Sequence, residues 1–227
     1  MAAEMGLYIT HHHAEPLGAE MFSRAYPDKN PSYDEYPELF QQLWRDAIEK
    51  QKEYQVIWNV GFRGQGDSPF WSNDSRYTTD ESRGRLISQL IRLQYDMIQE
   101  KVPGAVCCTN LYGEIMELYQ KGYLNLPEEI IKIWADNGYG KMVSRRQGNH
   151  NPRVPALPQR TTDGRHGIYY HVSFYDLQAA NHITMLPVPD TLIAEELDKI
   201  LSLKIDDLWI INLSLIHISE PTRHSLI

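Results

Sequence analysis

Cysteine is almost absent: the chain has two in 227 residues, and those two, Cys107 and Cys108, are adjacent. Neighbours in a strand point to opposite faces, which argues against a disulfide framework or a cysteine metal site, so both are expected to be buried thiols. No apolar run approaches the ~20 residues needed to cross a bilayer, so no membrane span is expected. Positive charge is also scarce. With 22 Lys and Arg against 30 Asp and Glu, the formal net charge is -8, a poor electrostatic match for nucleic acid or an anionic membrane. Neither the phosphate-loop nor the dinucleotide-binding glycine spacing occurs; Gly64-Gln65-Gly66 has neither pattern. Internal repeats and low-complexity segments are missing as well. The opening residues, Met1 to Gly6, have no basic stretch followed by an apolar one, so no signal peptide is expected there.

What is present is an ordinary globular composition, 42% hydrophobic, 23% charged and 11% aromatic. It could form one α/β domain or two smaller ones. Runs rich in Val, Ile, Trp and Tyr predict strands at Leu7–Thr10, Gln55–Phe62, Ala105–Leu111, Ile130–Ala135, Ile168–Phe174 and Asp207–Asn212. Several are apolar on both faces, as strands covered on both sides should be. Helical periodicity lies between them. Ser32 is expected to cap a helix carrying Phe40, Leu43, Trp44, Ala47 and Ile48. Asp80 is expected to cap another carrying Leu86, Ile87, Leu90, Leu93 and Ile98. A third helix starts near Glu114, and a fourth runs from Thr191 to Leu203. This alternation argues a parallel sheet, either doubly wound or a barrel.

Two stretches break the rhythm. Residues 144–166, rich in Arg, Asn, Pro, Gly and Thr, predict a long loop. Leu213 to Arg223 resembles the in-frame translation of a transposon-end adapter used in DNA library preparation. Residues 213–227, with His217 and His224, are therefore set apart as an artefactual tail, leaving 1–212 as the domain.

Polar clusters follow the predicted strands one after another. His11-His12-His13-Ala14-Glu15-Pro16 follows the first and Arg63-Gly64-Gln65-Gly66-Asp67 the second. Tyr112-Gly113-Glu114 follows the third and Asp136-Asn137-Gly138-Tyr139-Gly140 the fourth. The fifth carries Tyr169, Tyr170 and His171. In parallel sheets and barrels the C-terminal strand ends share one face, where active sites are built. Each cluster also has a plainer reading. The histidines could be a surface run, or His11 and His13 a metal pair. Arg63 is either a surface residue or a clamp for an anion. Glu114 either complements a helix dipole or faces a pocket. Asn137 could be only a turn residue, and Trp134 and one of the two tyrosines could be core. Carboxylates, tyrosines, an arginine and an asparagine, without a phosphate loop or a cysteine nucleophile, fit a carbohydrate site. The carboxylates would supply acid and base, the aromatics would pack on sugar faces, and the arginine would suit a uronic acid.

At these residues the chain resembles glycoside hydrolase family 115, the xylan α-(1→2)-glucuronidases. The resemblance is carried, in order, by His13-Ala14-Glu15-Pro16, Gly61-Phe62-Arg63-Gly64 with Asp67, Leu111-Tyr112-Gly113-Glu114, Trp134 to Gly140, and Gly167 to Val172. It implies a (β/α)₈ TIM-type barrel, here incomplete with about six of eight βα units, inside a larger and often dimeric protein. It implies no metal or organic cofactor, and a substrate of glucuronoxylan or its oligosaccharides, with no nucleic acid or membrane partner. It makes Glu114 the candidate general acid beside Tyr112, and Arg63 the ligand of the substrate carboxylate. Asp67 falls to base or hydroxyl-binding duty, and His13, Glu15, Asp136, Asn137 and Tyr170 to sugar or water. Asp67, Glu15 and Asp136 are all eligible as base. The resemblance further implies inversion, a secreted or periplasmic parent, and a chain that is by itself an inactive, aggregation-prone fragment with unpaired strand edges. Two other readings stand beside it. One is a metal-dependent amidohydrolase-type barrel using His11, His13, His171 and Asp136. The other is a non-catalytic carbohydrate-binding barrel using Tyr112, Tyr170 and Arg63.

Overall fold

The computed structural model describes residues 3–143, 154–158, 164–173 and 188–213. Most of the expected loop at 144–166 and the tail beyond 213 lie outside the described residues. The chain divides into two compact units. The first is Met1–Asn110 with Glu117–Ile130, and the second is Leu111–Met116 with Ile131–Ile227.

In the first unit, strand β1 (Trp58–Asn59) pairs in parallel with β2 (Cys107–Leu111), Trp58 lying opposite Cys107 and Asn59 opposite Cys108. Both cysteines are buried free thiols. The first expected strand contributes only a parallel bridge between Ile9 and Val56, closed by Ile9 N–H to Gln55 and Ile57 N–H to Ile9. Leu7 and Tyr8 before it are exposed, so no apolar face drives further pairing. Helices α1 (Phe22–Ala25), α2 (Pro37–Gln51) and α3 (Asp80–Lys101) complete the unit.

The expected caps are corrected. Helix α2 begins at Pro37, whose fixed φ and missing N–H suit a first position. Ser32 instead donates its hydroxyl to Asp74 at 3.0 Å. Thr79, not Asp80, caps α3 by accepting from the Ser82 N–H at 3.2 Å, and Asp80 sits in the first turn, where its charge complements the dipole. The buried stripe of α3 passes through Gln94 and Ile91, with Leu93 half-buried. Around Phe22 the aromatics close up. Phe22 stacks on Phe40 at 4.2 Å and Tyr33 on Trp44 at 5.8 Å, while Phe62 meets Phe40 edge-on at 5.6 Å.

In the second unit, β3 (Ile131–Ala135), β4 (His166–Ser173) and β5 (Leu208–Leu213) run parallel in that order. All five residues of β3 are buried, the pattern of a strand covered on both faces. Gly167 is required: a Cβ there would collide with the carbonyl oxygen of Leu208 on β5. Helix α4 (Glu114–Gln120) follows β2, and α5 (Asp190–Ser202) leads into β5. The pairings of β1 with β2, β3 with β4 and β4 with β5 are all parallel, and helices alternate with strands, an α/β architecture. Five of the six expected strands form. Among the described residues, no helix is long and apolar enough to cross a membrane.

Candidate active site

In the first unit, the segment after the Ile9 bridge turns sharply, with Leu17 at φ 63° and Gly18 at φ 65°. The turn is packed on His11. A Cβ at Gly18 would lie 2.5 Å from the His11 ring, and His11 Nε2 meets Gln51 Oε1 at 2.5 Å. Gln51 also donates to the Leu17 carbonyl at 3.0 Å. His11 therefore serves the turn. His12 is exposed and its ring lies 4.0 Å from that of half-buried His13. Among the described residues no three His, Cys, Asp or Glu side chains are grouped so as to hold a metal.

Glu15, exposed at the head of this turn, shares a cleft with Glu20, Arg63 and Gln65, over a floor that includes Phe22 and Trp44. Arg63 is carried between two fixed glycines. Gln94 of α3 clamps Gly61 from both sides, accepting from its N–H at 2.8 Å and donating to its carbonyl at 2.9 Å. Gly64 N–H donates to the Ser68 carbonyl at 2.6 Å, and a Cβ at Gly64 would sit 2.6 Å from that same oxygen. Gln65 Oε1 accepts from the Ser23 N–H at 2.9 Å and hydroxyl at 2.7 Å, tying this segment to α1. The Asp67 side chain lies outside the described residues.

In the second unit, Tyr112 and Gly113 (φ 54°) follow β2, and Glu114 opens α4, half-buried. The richest geometry lies after β3. Asp136, 1% exposed, accepts four hydrogen bonds. Its Oδ1 takes the Gly138 N–H at 3.0 Å and faces His171 Nδ1 at 2.5 Å. Its Oδ2 takes the Gly140 N–H at 2.8 Å and the His171 N–H at 3.0 Å. Asn137 Oδ1 accepts from the N–H groups of Tyr139 at 3.0 Å and Lys141 at 3.3 Å, shaping the turn. Tyr170 is fully buried and donates to the Gly140 carbonyl at 2.7 Å. Burial, with the nearby Asp136 and Glu196 charges, pushes its hydroxyl up to about 12, so it stays a donor at neutral pH. Tyr169 stacks on His171 at 4.6 Å and accepts from Asn212 of β5 at 3.2 Å.

Within their own units the structure thus brings Glu15 together with Arg63, and Asp136 with Asn137 and Tyr170. His13, Glu15, Arg63 and Asp67 belong to the first unit; Tyr112, Glu114, Asp136, Asn137 and Tyr170 belong to the second. Sequence reasoning missed Glu20 and Gln65 on the cleft and Gln94 behind it. Gln94 left one signal, a polar residue on an otherwise apolar stripe. Within the first unit, Glu15 and Glu20 with the Arg63 guanidinium over an aromatic floor are suited to recognising a polyhydroxylated anion.

The sequence profile of glycosyl hydrolase family 115 matches residues 1–224. The chain belongs to that family. Among solved structures it is similar to a family GH115 4-O-methyl-α-glucuronidase, BtGH115A, described as having specificity for decorated arabinogalactans. The TM-score is 0.71 at 20% identity, over 96% of this chain and 27% of the other. At that identity the likeness shows the fold alone, and the chain spans about a quarter of the relative's length. No curated protein sequence matches it. All five strand-end clusters of this family-115 chain lie within the profile match.

Proposed function

We propose that this chain is part of the catalytic domain of a family-115 α-glucuronidase. In the larger protein it would remove glucuronic acid or its 4-O-methyl form from glucuronoxylan, with inversion at the anomeric carbon. Beyond family membership, one observation carries the reading. Arg63 shares a cleft with Glu15, Glu20 and Gln65 over an aromatic floor, as a sugar with its own carboxylate requires. Glu114 donates a proton to the glycosidic oxygen, with Tyr112 beside it. A base takes the proton of the attacking water from the opposite side, Asp67 being the first choice; inversion needs room for that water between acid and base. Arg63 pairs with the uronate, and His13, Glu15, Asn137 and Tyr170 hold the sugar or its water. No cofactor takes part. The specificity described for BtGH115A makes a decorated arabinogalactan the second candidate substrate.

The test is Glu114→Gln in the full-length protein. Turnover of glucuronoxylan oligosaccharides should fall by roughly 10²–10⁴-fold, while their binding, read by calorimetry, stays near wild type. Proton NMR of the wild-type reaction should reveal the β-anomer of the released sugar first. Undiminished turnover in Glu114→Gln refutes the acid assignment, and α-anomer appearing first refutes inversion.

A further inference from the structure

Gln65 lines the same cleft as Glu15, Glu20 and Arg63, and its amide has only one workable orientation. One end meets the backbone N–H of Ser23 at 2.9 Å and the Ser23 hydroxyl at 2.7 Å. A backbone N–H can only donate, so the atom facing it is Oε1, and the NH₂ is the other end. Ser23 stands in the first turn of α1, where backbone N–H groups lack a partner within the helix, and Met21 at its head gives no side-chain cap. The Gln65 oxygen satisfies one of those N–H groups from forty-two residues away. That explains one end of the amide and leaves the other. Among the described residues, Nε2 of Gln65 has no hydrogen-bond partner. The backbone that carries the side chain is set on both sides. Gly64 before it is buried and bonded to the Ser68 carbonyl, and Gly66 after it holds φ 65°, a conformation that suits glycine.

The charged side chains of the cleft divide by what they can exchange. Glu15 and Glu20, when ionised, only accept, and Arg63 only donates. Two carboxylates beside one guanidinium oppose a ligand's own carboxylate unless a further donor meets it. An amide whose oxygen is already committed supplies that donor without adding a charge. From this geometry, and resting on the glucuronidase reading above, we propose that Gln65 is a further substrate-binding residue. Its Nε2 donates to the carboxylate of the uronic acid that Arg63 pairs with, while Glu15 and Glu20 accept from the sugar hydroxyls. Because Ser23 fixes the amide, Gln65 also sets specificity. A carboxylate offers two acceptor oxygens to the Arg63 and Gln65 donors. A carboxamide in the same place offers one, and its own NH₂ opposes a donor.

The experiment measures, by calorimetry on the full-length protein, binding of D-glucuronate and of its uncharged carboxamide to wild type, Gln65→Leu and Gln65→Glu. Wild type should prefer the carboxylate. Gln65→Leu, which loses both ends of the amide, should weaken D-glucuronate about 10- to 100-fold, the range for a hydrogen bond to a charged group. Gln65→Glu separates binding from the structural role. It keeps an acceptor for Ser23 and should melt as wild type does, yet it replaces the donor with an anion. Its affinity for D-glucuronate should fall at least as far as in Gln65→Leu, and the preference for carboxylate over carboxamide should narrow at least tenfold. Wild-type affinity for D-glucuronate in Gln65→Glu, or an equal loss for both ligands, overturns the proposal. A Gln65→Glu protein that loses stability overturns the amide orientation on which it stands. If wild type neither binds D-glucuronate nor hydrolyses glucuronoxylan oligosaccharides, the glucuronidase reading itself fails. If it hydrolyses them while Gln65→Glu binds D-glucuronate unchanged, only the role of Gln65 falls.

Discussion

Replacing Gln94 with leucine should loosen the segment that carries Arg63, by an amount that follows from two hydrogen bonds. Gln94 is fully buried and spans Gly61, with 2.8 Å to the N–H and 2.9 Å to the carbonyl. Each such bond contributes about 1 kcal/mol net, and a buried backbone group left without a partner costs about 1–3 kcal/mol. Gly61 is half-buried, so water recovers part of the second cost. The added apolar surface of leucine offsets about 1 kcal/mol more. The expected loss is about 2–3 kcal/mol, local to Gly61 and its neighbours. The direct readout is hydrogen exchange at the Gly61 amide, which should accelerate about 30- to 150-fold, since about 1.4 kcal/mol is tenfold. The same variant should weaken binding of a uronate-bearing oligosaccharide, because Arg63 lies two residues beyond the clamp. An unchanged exchange rate at Gly61 would mean that the clamp carries no energy, and the argument placing Arg63 through Gln94 would fall with it.

The Asp74 carboxyl is held below the usual carboxylate range, chiefly by the hydrogen-bonded Arg76 guanidinium, with help from the Arg76 N–H and Ser32. A lowered folded value means stability that is present above about pH 4 and lost as pH falls through the folded value. Asp74→Asn should therefore cost about 1 kcal/mol at pH 7, discounted for the half-exposed Arg76, with the gap closing in more acid solution. Urea unfolding at both pH values checks it, and equal stability at pH 7 sinks it. Burial pushes Cys107 and Cys108 up to about 12. At pH 8 only about one thiol in ten thousand is then thiolate, and a disulfide reagent should label neither in the native protein and both in denaturant. Rapid native labelling would contradict their burial.

Much of the secondary structure was legible because it is written locally. The Ile- and Trp-rich run at Ile130–Ala135 reads as a strand, and Ile131–Ala135 forms one with every residue buried. The 3.6-residue stripe through Phe40, Trp44 and Ile48 reads as a packed helix face, and those side chains are buried. Helix starts were read less well. At Ser32 and Asp80 the residue type was suitable, but the point where the backbone enters the helix was decided elsewhere, by Pro37 and by the Thr79 hydroxyl. The candidate site was legible as a pattern of polar clusters after strands, since parallel pairing repeats that placement at each strand end.

What the sequence determined by itself was the alternation of strands and helices, the acidic balance, the burial of the cysteines and the polar residues that follow the strands. The partner of each of those residues was decided only in three dimensions. His11 meets Gln51 forty residues away, Gln94 meets Gly61 across thirty-three, and Asp136 meets His171 across thirty-five. Periodicity records which face of an element is apolar, because burial acts on each residue where it stands. A hydrogen bond needs two groups within about 3 Å and correctly aimed, and that condition is met only after the strands have taken their register.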